Sequence, residues 1–304
     1  MQYILKTTNL CKSYGKTKVL DNLNIKVPKG SIYGFVGKNG AGKTTLIRLI
    51  CGLQYQTSGD VEICGIKNTD NKINDIRKKM GAIVETPALH LNMTAKENLN
   101  LQFELLGNNN FSKIDNLLDF VGLSDTENKC TRNFSLGMRQ RLAIAIALCN
   151  DPEFLVLDEP INGLDPQGII DIRELLIRIN KEKGITILIS SHILDELEKV
   201  ATHYGFIANG KIIAEISAEE LEKSSKKYIT LIVNQINNIE KAMINFQNKY
   251  EIQDEKTFIV YDDIVITDLI LSLHEQGIVV NRLIEKEENL EERFFELLGG
   301  VNND

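Results

Sequence analysis

The chain has 304 residues, which is long for one domain, so we expect two structural units. Apolar residues make up 43% of the chain and charged residues 25%, which is enough for an ordinary globular core. The net charge of −7 lacks the basic character typical of nucleic-acid-binding proteins. Five scattered cysteines without a C-x-x-C pair predict reduced, mostly buried thiols in a cytosolic protein, and these thiols form neither a disulfide framework nor a metal site.

Neither a secretion signal nor a membrane span is predicted. Residues 1–9 lack the basic start and the long apolar stretch of a signal peptide. The longest apolar run, residues 142–149, is far shorter than the ~20 residues that a membrane-spanning helix needs. We therefore expect any membrane role to depend on a partner protein.

The first 27 residues alternate loosely between apolar and polar side chains around a break at Tyr14-Gly15-Lys16. This pattern predicts antiparallel strands joined by a turn. Tyr14 lies in that turn, and two interpretations are open. It is either a packed turn residue or an exposed aromatic ring that stacks on an adenine base.

A glycine-rich loop follows an apolar segment at residues 31–36 and precedes a segment with helical periodicity. Its spacing, Gly37-x-x-x-x-Gly42-Lys43-Thr44, fits the phosphate-binding P-loop. Glycines let main-chain N–H groups point at phosphate oxygens, and the following helix adds its positive N-terminus. We predict that Lys43 reaches the β- and γ-phosphates and that the Thr44 hydroxyl binds Mg²⁺. The predicted nucleotide contacts are Gly37, Lys38, Asn39, Gly40, Ala41, Gly42, Lys43, Thr44 and Thr45. The alternative is a strand-to-helix turn that binds nothing.

The middle of the chain predicts a further strand and a helical insertion. Residues 81–85 form a short apolar strand that places Glu85 at its exit, where the sheets of α/β proteins bind ligands. Residues 94–122 have helical periodicity, broken at Gly107. Ser135 then suits the N-cap of another helix, whose N-terminus attracts anions. An ordinary capped core helix is the alternative there.

Two acidic residues follow a buried strand at residues 154–157. After a P-loop, Asp158 has the place of the acid that holds Mg²⁺, and Glu159 can orient and deprotonate a water opposite the γ-phosphate. Capping a turn is the alternative for such acids.

Another parallel-type strand, residues 184–190, predicts His192 at its exit, where its imidazole could sense or stabilise γ-phosphate charge.

The pattern changes near Ser217 to a charged helix or linker. Strands are then predicted at residues 228–233, 257–261 and 278–284, and helices at residues 239–250, 266–274 and 290–298. This alternation predicts a small α+β domain, in which we find no chemical motif.

Taken in chain order, five motifs resemble those of ABC transporter ATP-binding subunits. They are the P-loop at residues 37–44, the segment Phe134-Ser135-Leu136-Gly137-Met138, the pair Asp158-Glu159, the segment Asn162-Gly163-Leu164-Asp165, and His192. The resemblance covers about residues 3–217, and the rest of the chain resembles an extension of some export-type members. It implies an α/β P-loop NTPase cassette (mixed sheet core, N-terminal antiparallel part, helical insertion at about residues 86–150) over residues 1–217, and an accessory α+β domain over residues 218–304.

The resemblance also implies the chemistry and the partners. The expected activity is ATP hydrolysis coupled to transport, with ATP and Mg²⁺ bound between two cassettes arranged head to tail, as a homodimer or a cassette heterodimer. The P-loop of one cassette faces Ser135, Leu136, Gly137 and Met138 of the other, and Asp165 belongs to the neighbouring loop. Thr44, Asp158 and Glu85 are the implied metal contacts. The implied partner is an integral-membrane permease, and the implied location is the cytoplasmic face of the cell membrane.

Some residues depart from the usual family pattern. Glu85 replaces a glutamine, Leu136 a glycine, Met138 a glutamine and Asn162 a serine. The segments around Glu85, Asp158 and His192 look most similar to bacitracin and lantibiotic exporters, so we predict an ATPase subunit that powers efflux of an antimicrobial peptide or another amphiphile.

Two other functions fit the sequence less well. An ABC-type ATPase acting on nucleic acid or ribosomes is disfavoured, because the chain is acidic and carries one cassette without a long coiled coil. A regulatory module that does not hydrolyse ATP is disfavoured by the intact set Lys43, Asp158, Glu159 and His192.

Overall fold

The structure is a computed structural model that describes residues 2–126, 128–224, 227–246, 249–261, 264–287, 290 and 292–293. The chain divides into two compact units, of which the first runs through Ala218 and the second begins at Glu219. Each unit has its own hydrophobic core.

The first unit combines strands and helices in two sheets and one helical insertion. Its strands are β1 (Tyr3–Tyr14), β2 (Thr17–Leu23), β3 (Lys26–Pro28), β4 (Ile32–Val36), β5 (Ser58–Ile63), β6 (Ile66–Lys67), β7 (Met80–Ile83), β8 (Phe154–Asp158), β9 (Thr186–Ser191), β10 (His203–Ala208) and β11 (Lys211–Ser217). Its helices are α1 (Lys43–Ile50), α2 (Ile73–Arg77), α3 (Ala95–Leu105), α4 (Lys113–Phe120), α5 (Leu136–Leu148), α6 (Pro166–Lys183) and α7 (Leu194–Glu198). Short 3₁₀ turns lie at Ser124–Thr126 and Thr131–Asn133.

The central sheet has the strand order β11-β10-β4-β9-β8-β7, and all neighbours are parallel except β10 and β11. Strands β4, β8 and β9 are buried along their whole length, as expected for parallel strands covered on both faces. Val36 pairs with Ser191, and Ser190 pairs with Asp158. The segments that follow β4, β8 and β9 therefore all begin at the carboxyl ends of the parallel strands.

The second sheet packs on the P-loop helix. Its strand order is β2-β1-β5-β6, with β3 also paired to β1. The apolar face of α1 (Leu46, Ile47, Leu49, Ile50) joins one core with Leu20 of β2 and Val61 of β5. Helical periodicity thus directs α1 into the space between the two sheets.

The helical insertion begins with a capping box at α3. Thr94 accepts the N–H of Glu97, and the Glu97 carboxylate accepts the N–H of Thr94. Helix α5 begins after Ser135, whose hydroxyl accepts the N–H of Met138. These caps fix where the helices predicted from sequence start.

The second unit contains β12 (Lys227–Val233), β13 (Tyr250–Ile252), β14 (Thr257–Tyr261) and β15 (Val280–Glu287), together with α9 (Ile239–Met243) and α10 (Ile266–Glu275). Helix α8 (Ala218–Ser224) spans the division between the units. The sheet order is β13-β14-β12-β15, and all pairs are antiparallel. Leu231, Phe258 and Leu273 belong to its core.

Several elements differ from the sequence-based predictions. The β10–β11 hairpin was not predicted, although Asn209 and Gly210 at its turn both have positive φ, the typical two-residue hairpin signal. The helix predicted at residues 239–250 ends at Met243, and Tyr250, the last residue of the predicted helix, begins a strand that pairs with β14. The helix predicted at residues 290–298 lies mostly outside the described residues.

The cysteines are free, but the prediction that most are buried is wrong. Cys11 and Cys149 are buried, Cys51 and Cys130 are half-buried, and Cys64 is exposed. None of the helices in the described part of the chain combines the length and apolar character that a bilayer crossing requires.

Candidate functional site

The P-loop connects β4 to α1 and depends on three glycines with different tasks. Gly42 has a φ of 112°, and a Cβ there would lie 2.7 Å from Leu20 Cδ2. A Cβ at Gly37 would lie 2.6 Å from the Ile207 carbonyl oxygen. Gly40 has a φ of 82° with open space around a would-be Cβ, so it is needed for its backbone conformation alone. Packing and backbone geometry together require this glycine pattern.

The N-terminus of α1 suits an anion. The first N–H groups of a helix have no partner within the helix. At α3, α5 and α6 a side chain from Thr94, Ser135 or Asp165 accepts one of these groups. Helix α1 has Gly42 at its N-cap and no side-chain cap. The main-chain donors and the positive end of the helix dipole therefore fit phosphate oxygens.

Lys43 brings the P-loop and the acidic residues together. Its side chain is only 6% exposed, and its Nζ donates to the Gly37 carbonyl at 2.7 Å. The same Nζ lies 3.2 Å from Glu159 Oε1. Lys43 and Glu159 therefore meet at the carboxyl ends of the parallel strands.

Ser190 of β9 forms a hydrogen bond with each of the two acidic residues. Asp158 is 2% exposed, and its Oδ1 accepts the Ser190 hydroxyl at 2.5 Å. Glu159 has a φ of 50°, and its N–H donates to Ser190 Oγ at 3.0 Å. Its Oε2 lies 2.8 Å from His192 Nδ1. Glu159 therefore bridges Lys43 and His192.

The donor set fits Mg²⁺ bound together with a nucleotide. Mg²⁺ prefers oxygen ligands and is usually held by one or two carboxylates together with substrate phosphates and waters. The described residues form no cluster of three or more histidine, cysteine or acidic side chains able to enclose a metal alone. Asp158 at the strand end and Thr44 in the first turn of α1 would be the protein ligands.

The residues that the resemblance places opposite a second P-loop, Ser135, Leu136, Gly137 and Met138, lie at the N-terminus of α5, beside the loop before α6. Leu136 is exposed, and a Cβ at Gly137 would lie 3.8 Å from Gly168 Cα. Asp165 caps α6 by accepting the Gly168 N–H at 3.1 Å. The first turn of α5 and the first turn of α6 therefore lie close together at Gly137 and Gly168.

Tyr14 and Glu85 each have a partner that sequence reasoning missed. The Tyr14 ring is 44% exposed, and its hydroxyl donates to Gln54 Oε1, while Lys12 Nζ lies 5.0 Å from the ring centroid. Glu85 has a φ of 62° and forms an ion pair with Arg48 of α1. Both partners are distant in sequence, and no local pattern indicated them.

Ser190, like Gln54 and Arg48, makes a contact that sequence reasoning missed. A signal was present, because a hydroxyl at the end of one buried strand can reach an acid at the end of its neighbour. The register that makes them neighbours is known only from the structure.

Comparisons with known proteins agree with this geometry. A sequence profile described as ABC transporter matches residues 20–162. The chain is 43% identical to the bacitracin transport ATP-binding protein BcrA of Bacillus licheniformis, over 99% of both chains. It is 47% identical to the lantibiotic transport ATP-binding protein SrtF of Streptococcus pyogenes, over 70% of this chain and 90% of that protein.

Solved structures match as well. The ATP-binding cassette MJ1267 in its ADP conformation superposes with a TM-score of 0.66 at 29% identity, covering 73% of this chain and 94% of that chain. The dimeric cassette MJ0796 bound to ADP and Pi gives a TM-score of 0.63 at 26% identity, covering 70% and 98%.

The fold, the P-loop and these matches define the class: a P-loop ATPase of the ATP-binding cassette type. The chain belongs to the ABC transporter family as an ATP-binding, ATP-hydrolysing subunit. The family, the fold class and the ATPase activity predicted from sequence are confirmed. These relatives give no support to the nucleic-acid alternative.

Substitution Lys43→Ala is expected to weaken ATP binding at least about tenfold, because a buried cation facing the phosphates is lost. A titration with a fluorescent ATP analogue measures this affinity. Lys29→Ala is the matched control, since Lys29 precedes β4 at the opposite end and pairs with Glu153 on the surface. Unchanged affinity in Lys43→Ala would contradict the P-loop role.

Proposed function

We propose that this chain powers the export of an antimicrobial peptide or a similar amphiphilic compound through a separate integral-membrane permease. The proposal is supported by relatives named for bacitracin and lantibiotic transport. Such export protects a cell from the compound, so the expected phenotype is antibiotic resistance.

The working form is proposed to be a homodimer or a cassette heterodimer on the cytoplasmic face of the cell membrane. The exposed N-terminus of α5 supports this arrangement, because Leu136 in its first turn is accessible to a second cassette. In the dimer, the P-loop of one cassette faces Ser135, Leu136, Gly137 and Met138 of the other, and Asp165 lies beside them. No nucleic acid partner is expected.

The observation that carries the proposal is the cluster of Lys43, Glu159 and His192 beside the uncapped N-terminus of α1. Main-chain donors of residues 37–45 would bind the phosphates, and Lys43 would reach the β- and γ-phosphates. The Tyr14 ring is proposed to stack on the adenine base, which its exposure permits.

Glu159 is proposed as the general base. It takes a proton from the water that attacks the γ-phosphorus, while the bond between that phosphorus and the ADP oxygen breaks. His192 Nδ1, at 2.8 Å, orients the Glu159 carboxylate and is placed to stabilise γ-phosphate charge.

Thr44 and Asp158 are proposed to hold Mg²⁺, which when bound neutralises charge on the phosphate oxygens. Glu85 is proposed as an additional metal contact, which requires its carboxylate to leave Arg48. The cassette is assigned to residues 1–217, with the helical insertion at about 86–150, and the accessory domain to residues 218–304.

The export function is tested by expressing the chain with its co-purifying membrane protein in a bacterium sensitive to bacitracin and lantibiotics. We expect the concentration that stops growth to rise for at least one of these peptides, and Glu159→Gln to abolish the protection. Protection that persists in the Glu159→Gln strain would separate resistance from ATP hydrolysis, and no protection by the wild type would reject these substrates.

Glu159→Gln is expected to lower ATP turnover about 10²- to 10⁴-fold, the usual contribution of a general base. ATP affinity is retained, and the dimer accumulates because the product state is not reached. Phosphate release and size-exclusion chromatography with ATP measure the two effects. Glu196→Gln is the control, since Glu196 is a similarly half-buried glutamate paired with Arg173 and Lys199. A turnover near the wild-type value would reject Glu159 as the base.

The metal role of Glu85 is tested with two variants. Glu85→Gln should weaken Mn²⁺ binding in the presence of a non-hydrolysable ATP analogue about tenfold or more, as for loss of a metal ligand. Arg48→Gln should strengthen it, because Glu85 is freed from its ion pair. Equal small changes in both variants, as expected for loss of an exposed ion pair alone, would remove Glu85 from the metal site.

A further inference from the structure

We propose that Ser190 is a positioning residue that holds both acids of the ATPase site. The proposal rests on the roles proposed above for Asp158 and Glu159. Ser190 lies near the end of β9 and is fully buried. Its single hydroxyl donates to Asp158 Oδ1 at 2.5 Å and accepts the Glu159 N–H at 3.0 Å. One side chain thus connects the metal-holding acid with the main chain of the base.

The bond to Asp158 orients a buried carboxylate. A carboxylate removed from water needs hydrogen-bond donors, because desolvation of the charge is costly. Ser190 pairs with Asp158 across the parallel strands, and its hydroxyl supplies such a donor. This bond fixes the orientation of the carboxylate, which would hold Mg²⁺ in the proposed site. Without the hydroxyl, the carboxyl group can rotate about its own bond.

The bond to Glu159 stabilises an unfavourable backbone conformation. A residue with a side chain is strained in the left-handed region, because its Cβ approaches the following carbonyl oxygen. Glu159 has a φ of 50°, and its N–H lies 3.2 Å from the Ser190 carbonyl and 3.0 Å from the Ser190 hydroxyl. From this conformation its carboxylate reaches both Lys43 and His192.

Hydroxyl groups elsewhere in the core supply a control for the loss of a buried hydrogen bond. Ser31 is also buried, and its hydroxyl donates to the Pro28 carbonyl at 2.7 Å. It directly precedes β4, at the end opposite to the P-loop. Ser31→Ala therefore removes a comparable buried hydroxyl without touching either acid.

The test compares Ser190→Ala, Ser190→Thr and Ser31→Ala in the full chain. We measure kcat and KM for ATP by phosphate release, and Mn²⁺ binding by electron paramagnetic resonance with a non-hydrolysable ATP analogue. Ser190→Ala should lower kcat and Mn²⁺ affinity each about 10- to 100-fold, the usual cost of losing a residue that orients metal ligands. Metal-free ATP affinity should not change, because the P-loop is intact. Ser190→Thr keeps the hydroxyl and should restore most of both losses, and Ser31→Ala should match the wild type.

Two results would overturn the proposal. One is wild-type kcat and Mn²⁺ affinity in Ser190→Ala, and the other is an equal loss in Ser31→Ala, which would assign the effect to any lost core hydrogen bond. If thermal unfolding shows that Ser190→Ala does not fold, Ser190→Cys replaces it and is judged by the same readouts.

Asp158→Asn and Glu159→Gln are measured in parallel to separate this proposal from the proposed function. Inactive acid variants with an unaffected Ser190→Ala would reject only the role of Ser190. Active acid variants would reject the roles of the acids themselves.

Discussion

The parallel register of β4, β9 and β8 is the constraint on which the chemistry of this cassette depends. Val36 pairs with Ser191, and Ser190 pairs with Asp158, so the three strands end at one level. Neighbouring strands lie about 4.8 Å apart, which brings side chains separated by more than a hundred residues in sequence into contact. A slip by one residue would send Asp158 to the opposite face of the sheet. Burial of these strands on both faces makes such a slip costly, so the core and the site specify each other.

Charge balance links this register to nucleotide binding. Lys43 is buried beside Glu159, and a buried cation without an anionic partner would be strongly destabilising. The phosphates of ATP carry more negative charge than one carboxylate and compete for the same ammonium group. Glu159 would then depend on His192 for its orientation, and its released oxygen would be available to a water. Under the role proposed for Glu159, its contact with Lys43 would therefore be exchanged for a contact between Lys43 and a phosphate.

Local chemistry explains which features the sequence could predict. The P-loop needs glycines at fixed spacing, and the acids follow an apolar run, so both are visible within a few residues of chain. The Arg48–Glu85 pair, the Tyr14–Gln54 bond and the role of Ser190 join segments that meet only after folding. The strand that begins at Tyr250 likewise depends on tertiary structure, because Tyr250 pairs with Val260 of β14. The exposure of Cys64 also depends on tertiary packing, which a count of cysteines does not contain.

The relatives differ in how much of this chain they cover. The alignment with BcrA of Bacillus licheniformis spans 99% of both chains, whereas that with SrtF covers 90% of SrtF and only 70% of this chain. The solved cassettes likewise cover 70% and 73% of this chain. An independent core around Leu231, Phe258 and Leu273 is consistent with an added domain that folds by its own contacts. Lys43, Asp158, Glu159 and His192 all lie in the first unit, so the contacts among them are made without the second unit.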